Sequence, residues 1–217
     1  MPGQPEQDVV LRDGRFEAVV VGGSAGGMDA LLVVLSRLPA DFPLPLLLAF
    51  HLHKTDGGRF AEHLALRTGI PVSDAFDKES IRPPHVYVAP ADYHLLVERG
   101  GGLALSIDPR VNCARPSIDV LFESAARVWA DSVIGVILSG ANDDGARGMK
   151  LIGDLGGFCI VQDPDTAASR VMPQSAIDLA GFEHVLAPAE IGDMLVRLAA
   201  GSSASRPENT EEEVTGQ

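Results

Sequence analysis

Three places in this 217-residue sequence carry side chains suited to acyl chemistry, and each comes at the end of a short apolar run. Ser24 and His51 follow two such runs, and the pair Asp143 and Asp144 lies in a glycine-bearing loop after a third. A serine hydroxyl is a weak nucleophile at neutral pH and needs a base within hydrogen-bond reach, itself oriented by a carboxylate. These residue types predict a serine hydrolase triad in which either aspartate could be the third member.

Each of these residues also has an ordinary structural interpretation. Ser24 could cap the helix that follows it, His51 could end a strand in the core, and the aspartates could accept hydrogen bonds from loop amides. A metal site is a further alternative, because His51 and His53 would share one side of an extended segment near the aspartates. Its third ligand would have to come from a histidine that no pattern places there. We therefore expect no metal and no cofactor.

The turn that holds Ser24 is typical of a nucleophile elbow. The apolar run Ala18–Val21 leads into Gly22–Gly27, and the amphipathic stretch Met28–Leu38 follows. Glycine accepts positive φ at little cost, so the backbone can fold back tightly, and Gly-x-Ser-x-Gly holds a serine beside a helix N-terminus. A dinucleotide fingerprint is excluded because Ser24 replaces its second required glycine and His51 stands where its ribose-binding acid would be. No Gly-Lys-Ser/Thr follows, which excludes a P-loop.

Strands alternate with helices along most of the chain. Continuous apolar runs such as Leu46–Phe50 and Val133–Ser139 are typical of strands buried on both faces. His94–Val97 and Leu103–Ile107, joined by Gly100–Gly102, predict an antiparallel hairpin. The fold class is therefore α/β, a doubly wound, mostly parallel sheet with helices on both faces in a Rossmann-like three-layer arrangement. Ligands bind outside the carboxyl ends of such strands, so we expect the candidate residues at one edge of the sheet.

The clearest helix of the sequence begins after Ser117. Ser117 is a favourable N-cap, and Asp119 lies in the first turn, where the helix dipole favours an acidic side chain. Apolar residues up to Trp129 fall on one face of this helix. We expect that face to pack on the sheet.

Length and composition predict one folded domain with two peripheral segments. A chain of 217 residues with 46% hydrophobic residues can bury a full core. We expect an N-terminal extension over residues 1–16, a catalytic domain over residues 17–200, and a tail over residues 201–217. The tail carries four glutamates against Arg206 in a Gly, Ser, Thr and Pro setting, a composition that favours disorder.

Charge and hydropathy exclude several classes of protein. The formal net charge of −13 argues against a nucleic-acid-binding surface, which needs clustered cations. The N-terminal segment lacks the pattern of a secretory signal, and the longest apolar run, Leu44–Phe50, is too short to span a bilayer. We therefore expect a cytoplasmic protein without membrane insertion. Cys113 and Cys159 lie outside any Cys-x-x-Cys pattern and are expected to be reduced thiols.

Several motifs in order resemble the catalytic domain of the CheB-like chemotaxis protein-glutamate methylesterases. The resemblance extends from about Ala18 to Leu198, nearly the whole predicted domain. Its segments are Val21–Gly27, Phe50–His51, Arg82–Pro90 followed by His94, Arg115–Phe122, Gly140–Ala146, and Met172–Pro173 with Ala176–Ile177. Together they identify the chain as a member of this family.

The resemblance implies which residues carry the reaction. The family aspartate directly precedes the loop glycine, which selects Asp144 over Asp143, and the family histidine is the first residue after the second strand, which selects His51 over His53. With Ser24 they would form the triad of an enzyme that removes methyl esters from glutamate side chains, releases methanol and also deamidates glutamine. The implied substrate is the cytoplasmic domain of a methylated chemoreceptor.

Two amides and two departures from the family pattern surround the implied triad. Backbone amides at Ala25 and Gly26, at the positive end of the following helix, are the expected oxyanion donors. The family usually has threonine or a similar polar residue where this chain has Ala25, and methionine where it has Ala141. Ala141 is expected to leave one wall of the site more open.

Two alternatives to the methylesterase function remain from the sequence. The departures leave open a catalytically weakened module that acts by binding a chemosensory partner, and the second alternative is a hydrolase of small esters. Most family members also carry an N-terminal phospho-receiver domain. Because about seventeen residues precede the first strand here, we expect no control by phosphorylation in cis.

Overall fold

The computed structural model describes residues 16–203, which contain nine strands and six α-helices. The strands are β1 (Ala18–Gly23), β2 (Leu46–Phe50), β3 (Val72–Asp74), β4 (Val86–Val88), β5 (His94–Val97), β6 (Leu103–Ser106), β7 (Val133–Ile137), β8 (Phe158–Gln162) and β9 (His184–Leu186). The helices are α1 (Gly27–Ser36), α2 (Arg59–Ala65), α3 (Ile118–Trp129), α4 (Ala146–Asp154), α5 (Val171–Ala180) and α6 (Pro188–Ser203).

Seven of the strands form one sheet, in the order β3-β4-β2-β1-β7-β8-β9. All neighbouring strands in this sheet are parallel. β5 and β6 pair antiparallel as a separate hairpin, whose turn includes Gly100 and Gly101 at positive φ. The predicted parallel sheet and the predicted hairpin are both confirmed.

Apolar side chains on the two faces of the sheet form two separate cores. Val19 of β1 lies in one core with Leu31 of α1 and side chains of α2 and α6. Val20 lies in the other core with Phe122 of α3 and side chains of α4, α5 and the hairpin. Successive residues of a strand point to opposite faces, so a strand covered on both sides must be apolar throughout. This confirms the three-layer arrangement.

The strand order reverses beside β1. The chain passes from β1 to β2 and β4 on one side and later returns to β7 on the other side, so β1 and β7 are neighbours. At such a reversal the connections leave toward opposite faces, and a crevice opens outside the carboxyl ends of the strands. The loops that follow β1, β2 and β7 meet at this crevice, and they carry the candidate residues.

The end of the chain differs from the sequence expectation in one detail. α6 continues to Ser203, past residue 200, where the predicted catalytic domain ends, and into the first residues of the predicted tail. Residues 1–15 and 204–217, which hold most of the predicted extension and tail, lie outside the described residues. Within residues 16–203, no helix combines the length and apolar character needed to cross a membrane.

The two cysteines are free thiols, as predicted. Cys159 is buried on β8, and burial raises the pKa of its thiol to about 12. Cys113 is exposed in the turn that precedes α3. A thiol with so high a pKa stays protonated at neutral pH, so Cys159 is a core residue rather than a nucleophile.

Candidate active site

Ser24 lies where β1 turns into α1. Its N–H donates to the Ser139 carbonyl oxygen at 2.9 Å, and its own carbonyl accepts from the Gly27 N–H at 2.9 Å. Gly26 has a φ of +74°, and a Cβ at that position would lie 2.4 Å from the Ala168 Cβ. Both the conformation and the close contact require glycine there. The tight turn leaves the Ser24 side chain partly exposed at the crevice.

Two N–H groups beside Ser24 are available to an anion. The amides of Ala25 and Gly26 have no acceptor among the residues that the structure describes, and both residues are exposed. The Ala25 carbonyl oxygen accepts from the Ser139 hydroxyl at 2.7 Å, which fixes the turn. The positive end of the α1 dipole lies at the same place. The turn can therefore donate to an oxygen that becomes negatively charged next to Ser24.

His51 follows β2 at the position beside Ser24. Gly23 pairs in register with Phe50, and the His51 N–H reaches the Gly23 carbonyl oxygen at 3.4 Å. Ser24 and His51 are thus neighbours at the ends of adjacent strands, which lie about 4.8 Å apart in a sheet. Within residues 16–203, no hydrogen bond joins the Ser24 hydroxyl to the ring. Catalytic hydrogen bonds are often long without substrate and tighten in the complex.

The structure brings Asp144, and not Asp143, to the histidine. His51 Nε2 lies 2.8 Å from Asp144 Oδ2, although the two residues come from different loops. Asp143 is exposed. His53 is also exposed, and its Nδ1 pairs with the Thr55 hydroxyl at 2.8 Å. The geometry therefore distinguishes Asp144 from Asp143 and His51 from His53, a choice that the residue types alone left open.

The Asp144 carboxylate is fully buried and is surrounded by hydrogen-bond donors at the N-terminus of α3. Oδ2 accepts from His51 Nε2 and the Ile118 N–H, both at 2.8 Å, and Oδ1 accepts from Asn112 Nδ2 at 2.8 Å, the Ser117 hydroxyl at 2.8 Å and the Asp119 N–H at 3.2 Å. The first N–H groups of a helix have no partner within the helix, and its dipole favours an anion. The start of α3 thus serves as an anion site for a carboxylate of the same chain.

These donors keep Asp144 ionised. Burial by itself would raise the pKa of the Asp144 carboxyl. Hydrogen bonds from His51, Ile118, Asn112 and Ser117 lower this pKa, and together they outweigh the effect of burial. The net result is a pKa below the ordinary value of an aspartate. An acceptor held in its charged form is what a histidine base needs as a partner.

Comparison with known proteins assigns the family. The family model described as CheB methylesterase matches residues 19–195. The chain belongs to the CheB methylesterase family. A Leptospira interrogans protein described as a putative protein-glutamate methylesterase/protein-glutamine glutaminase is 44% identical over 183 residues, which are 84% of this chain and 95% of that protein. The family assignment made from the motifs is confirmed.

Two further proteins match most of this chain and contain the CheB methylesterase domain. An Archaeoglobus fulgidus protein-glutamate methylesterase/protein-glutamine glutaminase is 37% identical over 183 residues, which are 82% of this chain and 52% of that protein. The crystal structure of the Thermotoga maritima CheB methylesterase catalytic domain matches with a TM-score of 0.81 and 31% identity, and the match covers 84% of this chain and 98% of that one. The match confirms the α/β fold.

The contact with Asp144 also assigns the tautomer of His51 in this CheB domain. An ionised carboxylate only accepts, so Nε2 must carry the hydrogen of the 2.8 Å contact. In the neutral ring Nδ1 is then unprotonated and is the nitrogen that can take a proton. Many serine hydrolases use the opposite arrangement, with the carboxylate on Nδ1.

Ser117 and Asp119 lie where the sequence predicts, but their side chains make contacts that the helix pattern does not predict. Ser117 occupies the N-cap position of α3, but its hydroxyl makes no capping bond and donates to Asp144 instead. Asp119 lies in the first turn of α3, where it is buried and accepts from the Gly148 N–H at 2.8 Å and from Arg147 Nε at 3.0 Å. Both side chains are used in long-range contacts, which a local helix pattern does not reveal.

Sequence reasoning missed Asn112 and gave His94 no role of its own. Asn112 contacts Asp144 from a turn before α3. His94 is buried, receives the Ser117 N–H on Nδ1 at 3.2 Å and places Nε2 3.2 Å from the Pro109 carbonyl oxygen. His94 thus fixes the segment that enters α3. The signal that could have found Asn112 is its type, since asparagine is enriched at the positive φ that this turn requires.

Ala141, the second departure from the family pattern, is exposed in the loop between β7 and Asp144. The preceding Gly140 is buried, and a Cβ at that position would lie 2.5 Å from the Met172 side chain. Met172 therefore packs directly against the base of the loop. Ala141 adds only a methyl group to the surface of this loop.

We expect Asp144 to make stability depend on pH in the acid range. Its pKa is lower in the folded protein, so its contribution is present above the unfolded value of about 3.9 and is lost as the pH falls through the folded value. Asp144→Asn has no such titration. Urea unfolding of both proteins at several pH values should therefore show their difference in unfolding free energy shrinking below about pH 4. A difference that stays constant to lower pH would contradict the lowered pKa.

Proposed function

We propose that this chain is a protein-glutamate methylesterase that removes γ-methyl esters from glutamate side chains in the cytoplasmic domains of chemoreceptors. The observation that carries the proposal is the 2.8 Å contact between His51 and the buried Asp144, at the strand end beside Ser24. The family assignment supports the proposed substrate, because the match with the Leptospira interrogans relative named above covers 95% of that protein. The proposed substrate places the reaction in the cytoplasm.

In the first half of the proposed reaction, Ser24 is the nucleophile. Its Oγ attacks the ester carbonyl carbon while His51 Nδ1 takes the hydroxyl proton. The carbonyl oxygen becomes an oxyanion, which the amides of Ala25 and Gly26 stabilise. The intermediate then collapses, the C–O bond to the methoxy group breaks, and His51 returns the proton so that methanol leaves.

In the second half, water replaces methanol. His51 Nδ1 takes a proton from a water molecule, whose oxygen attacks the acyl-enzyme carbon in the same oxyanion site. Breakdown of this intermediate returns the proton to Ser24 Oγ and leaves a free glutamate side chain. The ionised Asp144 holds the Nε2–H of the ring throughout and stabilises the imidazolium that forms in each half.

Deamidation of glutamine follows from the same geometry. A glutamine side chain presents a carbonyl carbon of the same shape, and His51 would protonate the leaving nitrogen so that ammonia departs in place of methanol. Both substrates give the same acyl-enzyme and the same glutamate product. We therefore propose protein-glutamine glutaminase as a second activity of this site.

The substrate class is tested by comparing methylated receptors with a small ester. Membranes that carry receptors labelled in the methyl ester should release labelled methanol when the protein is added, with each of several receptors assayed separately. We expect at least one receptor to be a far better substrate, by kcat/KM, than p-nitrophenyl acetate, because binding away from the reacting group contributes to the transition state. Turnover of the small ester without methanol release from any receptor would contradict the proposed substrate. Binding to receptors without any hydrolysis would instead favour the weakened module.

A further inference from the structure

Two buried carboxylates of this protein share one amide. Asn112 Nδ2 lies 2.8 Å from Asp144 Oδ1 and 2.8 Å from Asp119 Oδ2. Asp144 and Asp119 are 0% and 1% exposed, so water does not separate their charges. An amide nitrogen has two hydrogens, and both are used here. The orientation of the amide is fixed, because its oxygen could not face two carboxylates.

The amide of Asn112 is also held from its other side. Arg147 Nε donates to Asp119 Oδ2 at 3.0 Å, and Arg147 Nη2 reaches Asn112 Oδ1 at 3.4 Å. The Gly148 N–H donates to the second oxygen of Asp119 at 2.8 Å. Asp119 and Arg147 thus form a support on α3 and α4 against which Asn112 is fixed.

The backbone at Asn112 is built to present this side chain. Asn112 and Cys113 have φ values of 51° and 60°, as in a type I′ turn. Val111 and Ala114 close the turn by exchanging two hydrogen bonds, of 3.2 Å and 2.9 Å. Asparagine, aspartate and glycine tolerate such φ values better than other residues. Substitutions among these three therefore change the side chain with little change in backbone strain.

We propose that Asn112 is a positioning residue for the reaction, which holds Asp144 Oδ1 so that Oδ2 stays aligned with His51 Nε2. This inference rests on the triad of the proposed function. Without the Asn112 amide, Asp144 Oδ1 would keep the Ser117 hydroxyl and the Asp119 N–H as donors but would lose the donor that bridges it to Asp119 Oδ2. Two donors instead of three would then hold Oδ1, and the two buried negative charges would no longer share a donor.

Ionisable groups reach Asp144 from several elements. His51 contacts it from the end of β2, Asp119 and Arg147 lie behind Asn112 on α3 and α4, and His94 of β5 contacts the Ser117 N–H. In Asn112→Asp, a third carboxylate would lie beside those of Asp144 and Asp119 and would add a negative charge there. Its expected effect is to favour protonation of both Asp144 and His51.

The experiment compares Asn112→Asp and Asn112→Gly with the matched control Cys113→Gly, which changes the neighbouring exposed residue of the same turn. Methanol release is measured as kcat and KM across pH, together with thermal unfolding. For Asn112→Asp we expect kcat to fall about 100-fold at pH 7, KM to change less than about threefold, and the acid limb of kcat/KM to move up by about one pH unit. We expect Asn112→Gly to lose about tenfold in kcat, and Cys113→Gly to match the wild type.

A second measurement does not depend on activity. The ring of His51 is titrated by NMR in the wild type and in Asn112→Asp, and its titration should move to higher pH in the variant. A lower melting temperature with unchanged kcat, acid limb and His51 titration would overturn the inference and leave Asn112 a purely structural residue. If the wild type releases no methanol, the proposed function fails, and an unchanged His51 titration would then overturn the Asn112 inference separately. If Asn112→Asp does not fold, an unchanged kcat in Asn112→Gly would overturn it.

Discussion

Ser24→Ala should reduce methanol release by at least about 10⁴-fold in kcat, because it removes the only atom that forms the covalent intermediate. The donors at Ala25 and Gly26 belong to the backbone and remain, so a small residual rate above the uncatalysed reaction is expected. Receptor binding and the melting temperature should stay close to those of the wild type, since the Ser24 hydroxyl is partly exposed and makes no hydrogen bond within residues 16–203. The measurement is single-turnover release of labelled methanol, combined with receptor co-sedimentation.

Ser36→Ala is the matched control for this substitution. Ser36 lies at the other end of α1, and its hydroxyl donates to the Val33 carbonyl oxygen at 2.7 Å. The control makes the same chemical change on the same helix, away from the crevice, and should release methanol at the wild-type rate. Equal rates for Ser24→Ala and Ser36→Ala would contradict the assignment of the nucleophile.

Asp144→Asn should lower kcat by about 10⁴-fold with little change in KM. An amide at this position would direct its N–H₂ group at His51 or at the donors on α3. In the first case Nε2 becomes an acceptor and Nδ1 carries the hydrogen, so the ring can no longer act as a base on the side of Ser24. In the second case donors that now contact Asp144 lose their acceptor, at a cost of about 1–3 kcal/mol for each. Both outcomes reduce kcat, and the second also lowers the free energy of unfolding.

Asp143→Asn is the control for the aspartate. It removes one negative charge from the adjacent residue, which is exposed. We expect its kcat and its unfolding free energy to be those of the wild type. A large loss of kcat in Asp143→Asn, with a normal rate in Asp144→Asn, would show that the other aspartate of the pair serves the histidine.

Sequence patterns were sufficient to predict where the strands and the turn at Ser24 lie because both have local causes. The predicted strands Val133–Ser139 and Leu103–Ile107 nevertheless end two residues and one residue later than the observed β7 and β6. A parallel strand covered on both faces is apolar throughout, so Leu46–Phe50 could be placed to the residue. Candidate residues at strand ends then share one edge of the sheet. The choice between Asp143 and Asp144 could not be made in this way, because two adjacent loop residues have the same local pattern. It required the family resemblance, and the contact with His51 agrees with it.

The donors around Asp144 were beyond sequence reasoning for a different physical reason. Asn112 and Ser117 precede Asp144 by 32 and 27 positions in the chain. They contact its carboxylate only because α3 packs against α4. Ser117 followed the rule for an N-cap position, but its hydroxyl had a stronger partner in a buried anion. The helix pattern therefore predicted the position of Ser117 correctly but not the partner of its hydroxyl group.

The central claim, that Ser24 is a nucleophile activated by His51 and Asp144, is tested most directly by labelling with a fluorophosphonate. Such a probe reacts with a serine whose hydroxyl is deprotonated by a working base. Intact mass and peptide mapping should show one label per protein at Ser24, none on Ser24→Ala, and a strongly reduced labelling rate for Asp144→Asn. Labelling at another residue, or no labelling of a folded wild type that releases methanol, would contradict the claim.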